Sequence, residues 1–115
     1  MARTRQDPTP APMPEPPAHL SERARGLWCE VLSTRGGTSA GRLALLQAGL
    51  EALDRADECR RVLAADGLIA TTGKTGAVHI HPAAKLETEA RRQFASIWRQ
   101  LNLQFDPLVD GRVHH

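Results

Sequence analysis

Apolar residues recur at helical spacing in three stretches of this chain, broken once by a segment of a different period. Leu20, Ala24, Leu27, Trp28, Val31 and Leu32 form the first stripe. Ser21 stands before it as a candidate N-cap, and Glu22 favours the first turn. Gly36-Gly37 closes this helix, because paired glycines lose too much backbone freedom in a helix interior. Leu43, Leu46, Leu50, Leu53, Ala56 and Leu63 make the second stripe. It predicts a helix from Thr38 or Ser39 to Ala65, with Gly67 just beyond as a stop signal. Such a helix is about 40 Å long, more than the first helix alone can cover. Leu45 and Val62 lie off its main stripe and call for a second apolar contact. Gly41 and Gly49 are weak points in it, or places where another backbone comes close. The third stripe follows Pro82: Leu86, Ala90, Phe94, Ile97, Trp98 and Leu101, with the helix ending near Asn102.

The interruption is GLIATTGKTGAVHIHP, residues 67–82. Residues 68–72 and 77–81 are short β-prone runs, and Gly73-Lys74-Thr75-Gly76 between them has the chemistry of a hairpin turn. The expected fold is therefore mainly α: three helices, the central one long, with a small β-hairpin between the second and third. A lone two-stranded hairpin is marginal in water. It must lean on a helix or pair with a neighbouring chain, so we expect it at or near a subunit interface, with Lys74 at an exposed tip.

Composition divides the chain into three parts. Residues 1–19 hold six of the eight prolines and few large apolar side chains, which predicts an extended or disordered arm. Residues 20–103 carry the helices and the hairpin at 68–81. Residues 104–115 contain Pro107 and Gly111 and read as a tail. The foldable part is small enough to be marginal as a monomer, and the whole chain has only Trp28, Trp98, Phe94 and Phe105 as large aromatic residues. Burial shared with a second subunit would make up the difference. The absence of a membrane-length apolar run or a secretory leader leads us to expect a soluble, cytoplasmic protein. Cys29 and Cys59 offer no disulfide framework and read as small helical hydrophobes.

The net charge of +2 is too low to argue for nucleic acid by itself. Its distribution says more: residues 51–66 carry a balance of −2 and residues 85–99 a balance of +2. These faces can pair within one subunit or between copies.

Candidate chemistry is sparse. His79-x-His81 places two imidazoles on one strand face, but zinc wants more ligands, and no Cys-x-x-Cys or His-Glu-x-x-His accompanies them. They read as surface histidines, and no metal or other cofactor is expected. Gly73-Lys74-Thr75 lacks the upstream glycine and the following helix of a phosphate loop. No nucleophile elbow is present, so no case for an enzyme emerges. For nucleic acid, Arg35 and Arg42 flank the start of the second helix, where phosphates meet backbone N–H groups. Arg23 and Arg25 on the first helix and Lys74 on the hairpin complete the candidate DNA contacts.

Three strings carry a resemblance. PEPPAHLSERARGLWCEV opens with a proline-rich lead and then Leu-Ser-x-x-Ala-x-x-x-Trp; LEALDRADECRRVLAADGLIATTGKTGAVHIHPA joins a long helix to a Thr-Gly hairpin and His-Pro; EARRQFASIWRQLNL closes the domain. In this order, over residues 14–103, they resemble the small subunit of phage terminases. The resemblance implies a non-enzymatic DNA-packaging subunit of a virus or gene-transfer particle. Such a subunit assembles into a homo-oligomeric ring, engages double-stranded DNA, and presents it to the terminase large subunit, which carries the ATPase and nuclease. The interface side chains expected for such a ring are Leu45, Leu46, Leu50, Leu53 and Val62 on the long helix, with Ile69, Val78 and Ile80 on the hairpin. Two other readings remain open: a dimeric helix-turn-helix-like regulator, and a helical adaptor without DNA contact.

Overall fold

Short polar side chains and one proline set where the helices begin. The computed structural model describes residues 13–35, 39–71 and 76–103. It contains α1 (Glu22–Arg35), α2 (Ala40–Asp66), β1 (Ile69–Thr71), β2 (Val78–Ile80) and α3 (Pro82–Gln100). Ser21 Oγ accepts a hydrogen bond from the Ala24 N–H at 3.1 Å, the N-cap expected for α1. Ser39 caps α2 by accepting from the Arg42 N–H at 3.2 Å. Gly67 follows α2 at φ +88°, and its N–H donates to the Leu63 carbonyl at 2.8 Å. That positive φ turns the chain out of the helix at a position where a Cβ would be strained.

The α3 termini use less obvious groups. Pro82 is its first residue and His81 is its cap, with Nδ1 accepting from the Ala83 N–H at 3.0 Å. At the other end Asn102 adopts φ +63°. The Leu103 N–H reaches the Trp98 carbonyl at 3.0 Å and the Asn102 N–H the Arg99 carbonyl at 2.9 Å. This is a Schellman closure with asparagine in the left-handed position. It folds Leu103 back into the core.

The 27 residues of α2 form the centre, lying along α3 for most of their length and against α1 more briefly. Leu46, Leu50 and Leu53 of α2 meet Ala24, Trp28 and Leu32 of α1 and Ile97 of α3, with Leu20, Leu101 and Leu103 closing the ends. Leu43, Leu45, Phe94 and Trp98 pack around this cluster. The Phe94 and Trp98 rings lie 4.9 Å apart between centroids, one turn apart on α3. Gly49 is one of the two suspected close approaches. A Cβ there would come within 2.8 Å of Ile97 Cγ2, whereas Gly41 has open space around it.

The strands form an antiparallel pair with Ile69 opposite Ile80 and Thr71 opposite Val78. They are shorter than the runs 68–72 and 77–81 read from sequence. Strand β2 stops at Ile80 because His81 is already committed to capping α3, although its own N–H still bonds the Leu68 carbonyl at 2.7 Å.

Three expectations are corrected. The end of the proline-rich arm, residues 13–19, is held against the helices. The Trp28 indole N–H donates to the Pro14 carbonyl at 2.9 Å, and His19 bonds Glu51 at 2.7 Å. Trp28 is only 4% exposed, and a buried indole N–H needs an acceptor. Cys29 is exposed while Cys59 is buried. Leu86, expected in the core, is 52% exposed at the flank of α3's apolar stripe. The arm before residue 13, the hairpin tip with Lys74 and the tail 104–115 lie outside the described residues. Among the described residues, no helix is long and apolar enough to cross a membrane.

Candidate assembly and nucleic-acid interfaces

The acidic side of α2 is spent within the chain. Asp57, half-buried, accepts from Arg23 of α1 at 3.0 Å and from Arg91 of α3 at 3.4 Å. Arg91 also reaches Glu87 at 3.1 Å, and Glu87 lies 3.8 Å from Arg60. One network, Arg23–Asp57–Arg91–Glu87–Arg60, thus ties the three helices together. Nearby, the Ser21 backbone N–H and Oγ–H donate to the two carboxylate oxygens of Asp54 at 2.8 and 2.5 Å. Beside it, Gln47 and His19 both donate to Glu51 Oε2, at 3.0 and 2.7 Å. These bonds, first Gln47's and then His19's, hold the Glu51 carboxyl below its ordinary value. Of the two arrangements open to the acidic and basic faces, the structure shows pairing within the subunit.

That pairing changes the candidate DNA contacts. Arg23 is exposed but engaged with Asp57. The Arg42 guanidinium donates to the Leu101 carbonyl at 3.1 Å, closing the end of α3. Arg25 is exposed on α1, and Arg35 is the last residue of that helix. Lys74 lies outside the described residues. Arg23 and Arg25 are two residues apart on a helix and so point to different sides. Among the described candidates, Arg23 and Arg42 are thus engaged within the chain rather than free for phosphate.

The interface candidates separate into two groups. Leu46, Leu50 and Leu53 are at most 2% exposed and belong to the chain's own core, so they offer a second copy no surface. They sit there because α2 is flanked by both α1 and α3, which consume the stripe that looked surplus. Leu45 is partly buried against the same core, and Val62 is half-buried. Ile69, Val78 and Ile80 are 56%, 66% and 62% exposed. The register places these three on one face of the hairpin, Ile69 directly opposite Ile80 and Val78 two residues before it. Leu68 and Leu86, each 52% exposed, were not anticipated as surface residues. The alternating pattern Ile69, Val78, Ile80 was the available signal for the first face. For Leu86 there was none, since its spacing matches the buried stripe.

The His-x-His pair is also resolved in geometry. His81 Nδ1 accepts from the Ala83 N–H, so its proton sits on Nε2, which donates to Asp66 at 3.1 Å. With both ring nitrogens engaged, His81 joins the end of α2 to the start of α3. His79 is exposed on β2. Among the described residues, no three His, Cys, Asp or Glu side chains are grouped to hold a metal ion.

No protein-family model, curated protein or solved structure matches this chain.

Proposed function

We propose that this chain is a non-catalytic, self-assembling subunit of a DNA-packaging machine, of the small-terminase kind. It forms a homo-oligomeric ring in the host cytoplasm, engages duplex DNA, and delivers it to a large subunit that supplies ATP hydrolysis and cleavage. The observation that carries this reading is the open apolar face of the hairpin, Ile69, Val78 and Ile80, on a two-stranded sheet with no third strand among the described residues. Covering these half-exposed side chains is worth about 1–2 kcal/mol each. A single side chain falls short of the cost of association, about 4 kcal/mol or more, which the three together approach. A closed ring adds to this one contact beyond those of an open string of the same subunits, because its last contact forms between subunits already joined.

Native mass measurement at micromolar concentration tests the reading. A discrete homo-oligomer that dissociates when Ile69, Val78 and Ile80 are changed to Thr supports it. A persistent monomer overturns it and favours the adaptor reading, in which the same face docks a different protein.

A further inference from the structure

Counting partners for the positive charges exposes a surface that the sequence did not single out. Arg23, Arg60, Arg61 and Arg91 are paired with carboxylates. Arg42 bonds a carbonyl and Arg55 bonds the Gln93 side chain at 3.4 Å. Among the described residues, Arg25 of α1 and Lys85, Arg92 and Arg99 of α3 are exposed and have no hydrogen-bond or ion-pair partner for their charged groups, and only the last three share one helix.

Lys85, Arg92 and Arg99 are spaced seven residues apart. Seven residues are nearly two helical turns, so the side chains fall on one line, about 10 Å from each to the next. That line is the crest of α3, opposite the buried Ala83, Ala90 and Ile97. Between the cations the crest carries Thr88, Glu89 and Ser96, and no large apolar side chain. The other acid of this stretch, Glu87, is neutralised by Arg60 and Arg91.

We infer that the α3 crest, Lys85–Arg92–Arg99, is a binding strip for the phosphate backbone of duplex DNA. This assignment rests on the packaging reading above and gives it a surface distinct from the candidates Arg23, Arg25, Arg35, Arg42 and Lys74. Guanidinium groups without an internal carboxylate are free to take phosphate oxygens in bidentate fashion. A duplex carries one negative charge per about 1.7 Å of axis, so a crest of about 20 Å meets a phosphate wherever its cations fall. Contacts to phosphate oxygens carry no sequence information, so such a strip positions the duplex without reading its bases. A lipid surface fits less well, because the crest has no apolar side chain to insert. Three contacts are weak singly; repeated around an oligomer they act together.

The test uses the full chain and a short random-sequence duplex. Retention is measured against salt for the wild type, for Lys85→Gln/Arg92→Gln/Arg99→Gln, and for Arg55→Gln/Arg60→Gln/Arg61→Gln. The last variant removes the same charge from α2. Losing three phosphate contacts should flatten the log–log salt slope by roughly 2.7, which is about a 40-fold smaller loss of affinity between 50 and 200 mM salt. The α2 variant should keep the wild-type slope, and Lys85→Arg/Arg92→Lys/Arg99→Lys should restore binding. Circular dichroism checks that each variant folds. Equal flattening in both Gln variants, or none in the crest variant, overturns the strip while leaving ring assembly standing. Wild-type binding to anionic vesicles or polyglutamate without binding to DNA overturns it too. A wild-type chain that assembles yet retains no DNA overturns both the strip and the DNA-packaging role.

Discussion

Gly49 of α2 lies directly beneath Ile97 of α3, so close that a Cβ at position 49 would sit 2.8 Å from Ile97 Cγ2 and 3.4 Å from its Cβ. The clashing group is a methyl on a stiff β-branched carbon rather than the end of a flexible chain. The glycine therefore sets how near the two longest helices approach. Gly49→Ala gains about 1 kcal/mol of helix propensity but meets an overpacking cost of about 1–3 kcal/mol. We expect net destabilisation of about 1 kcal/mol by urea denaturation. Gly41→Ala, with open space around it, should instead stabilise.

Ser21 and Asp54 lock the start of α1 to the middle of α2. Ser21→Ala removes both the cap to Ala24 and the hydroxyl donated to Asp54, and should cost about 1–2 kcal/mol. Asp54→Ala should cost about 1 kcal/mol. In the double mutant the losses should sum to more than the measured total, because the two residues share a bond. Strict additivity in that cycle would mean the contact contributes nothing.

Trp28→Phe keeps the ring's bulk but deletes the donor to Pro14. Expected are a loss of about 1 kcal/mol and faster protease cleavage within residues 13–19, with the helices intact by circular dichroism. Unchanged cleavage would mean that the Trp28–Pro14 bond does not hold this segment and that contacts such as His19–Glu51 do.

The Glu51 carboxyl has its folded value depressed by Gln47 and His19. A depressed acid stabilises the fold above its unfolded value and loses that contribution as pH falls through the folded one. The effect should therefore show on the acid side of neutrality, and Glu51→Gln should flatten that part of the stability–pH curve. The group is 37% exposed, so solvent screening limits the change to well under about 1 kcal/mol. A variant curve parallel to the wild type between pH 3 and 6 would refute this assignment (the window brackets the ordinary carboxylate range).

His81 caps α3 through an unprotonated Nδ1. His81→Asn should preserve capping and cost less than His81→Ala, for which about 1 kcal/mol is expected. Equal losses would place the importance of His81 in its bond to Asp66 instead.

Much of the architecture was written locally. Ser21, Ser39, Gly67 and Pro82 stop and start helices through interactions within a few residues of themselves, and the apolar stripes follow the helical period. The hairpin's existence and the exposed row Ile69, Val78 and Ile80 follow in the same way from alternation. Which apolar surface stays open was a different matter. Leu46, Leu50 and Leu53 have the same spacing whether they face a neighbouring helix of their own chain or another copy, and only the packing of α1 and α3 on both flanks of α2 decides it. The charges behave alike. From sequence, Arg23 and Arg42 look as free as Lys85, Arg92 and Arg99, because the partner of each lies across space: 34 residues away for Arg23 and 59 for Arg42. Local chemistry thus determined where each element begins, ends and turns its apolar side. The tertiary fold determined which side chains remained unpaired once the helices met, since burial and charge neutralisation depend on neighbours distant in the chain.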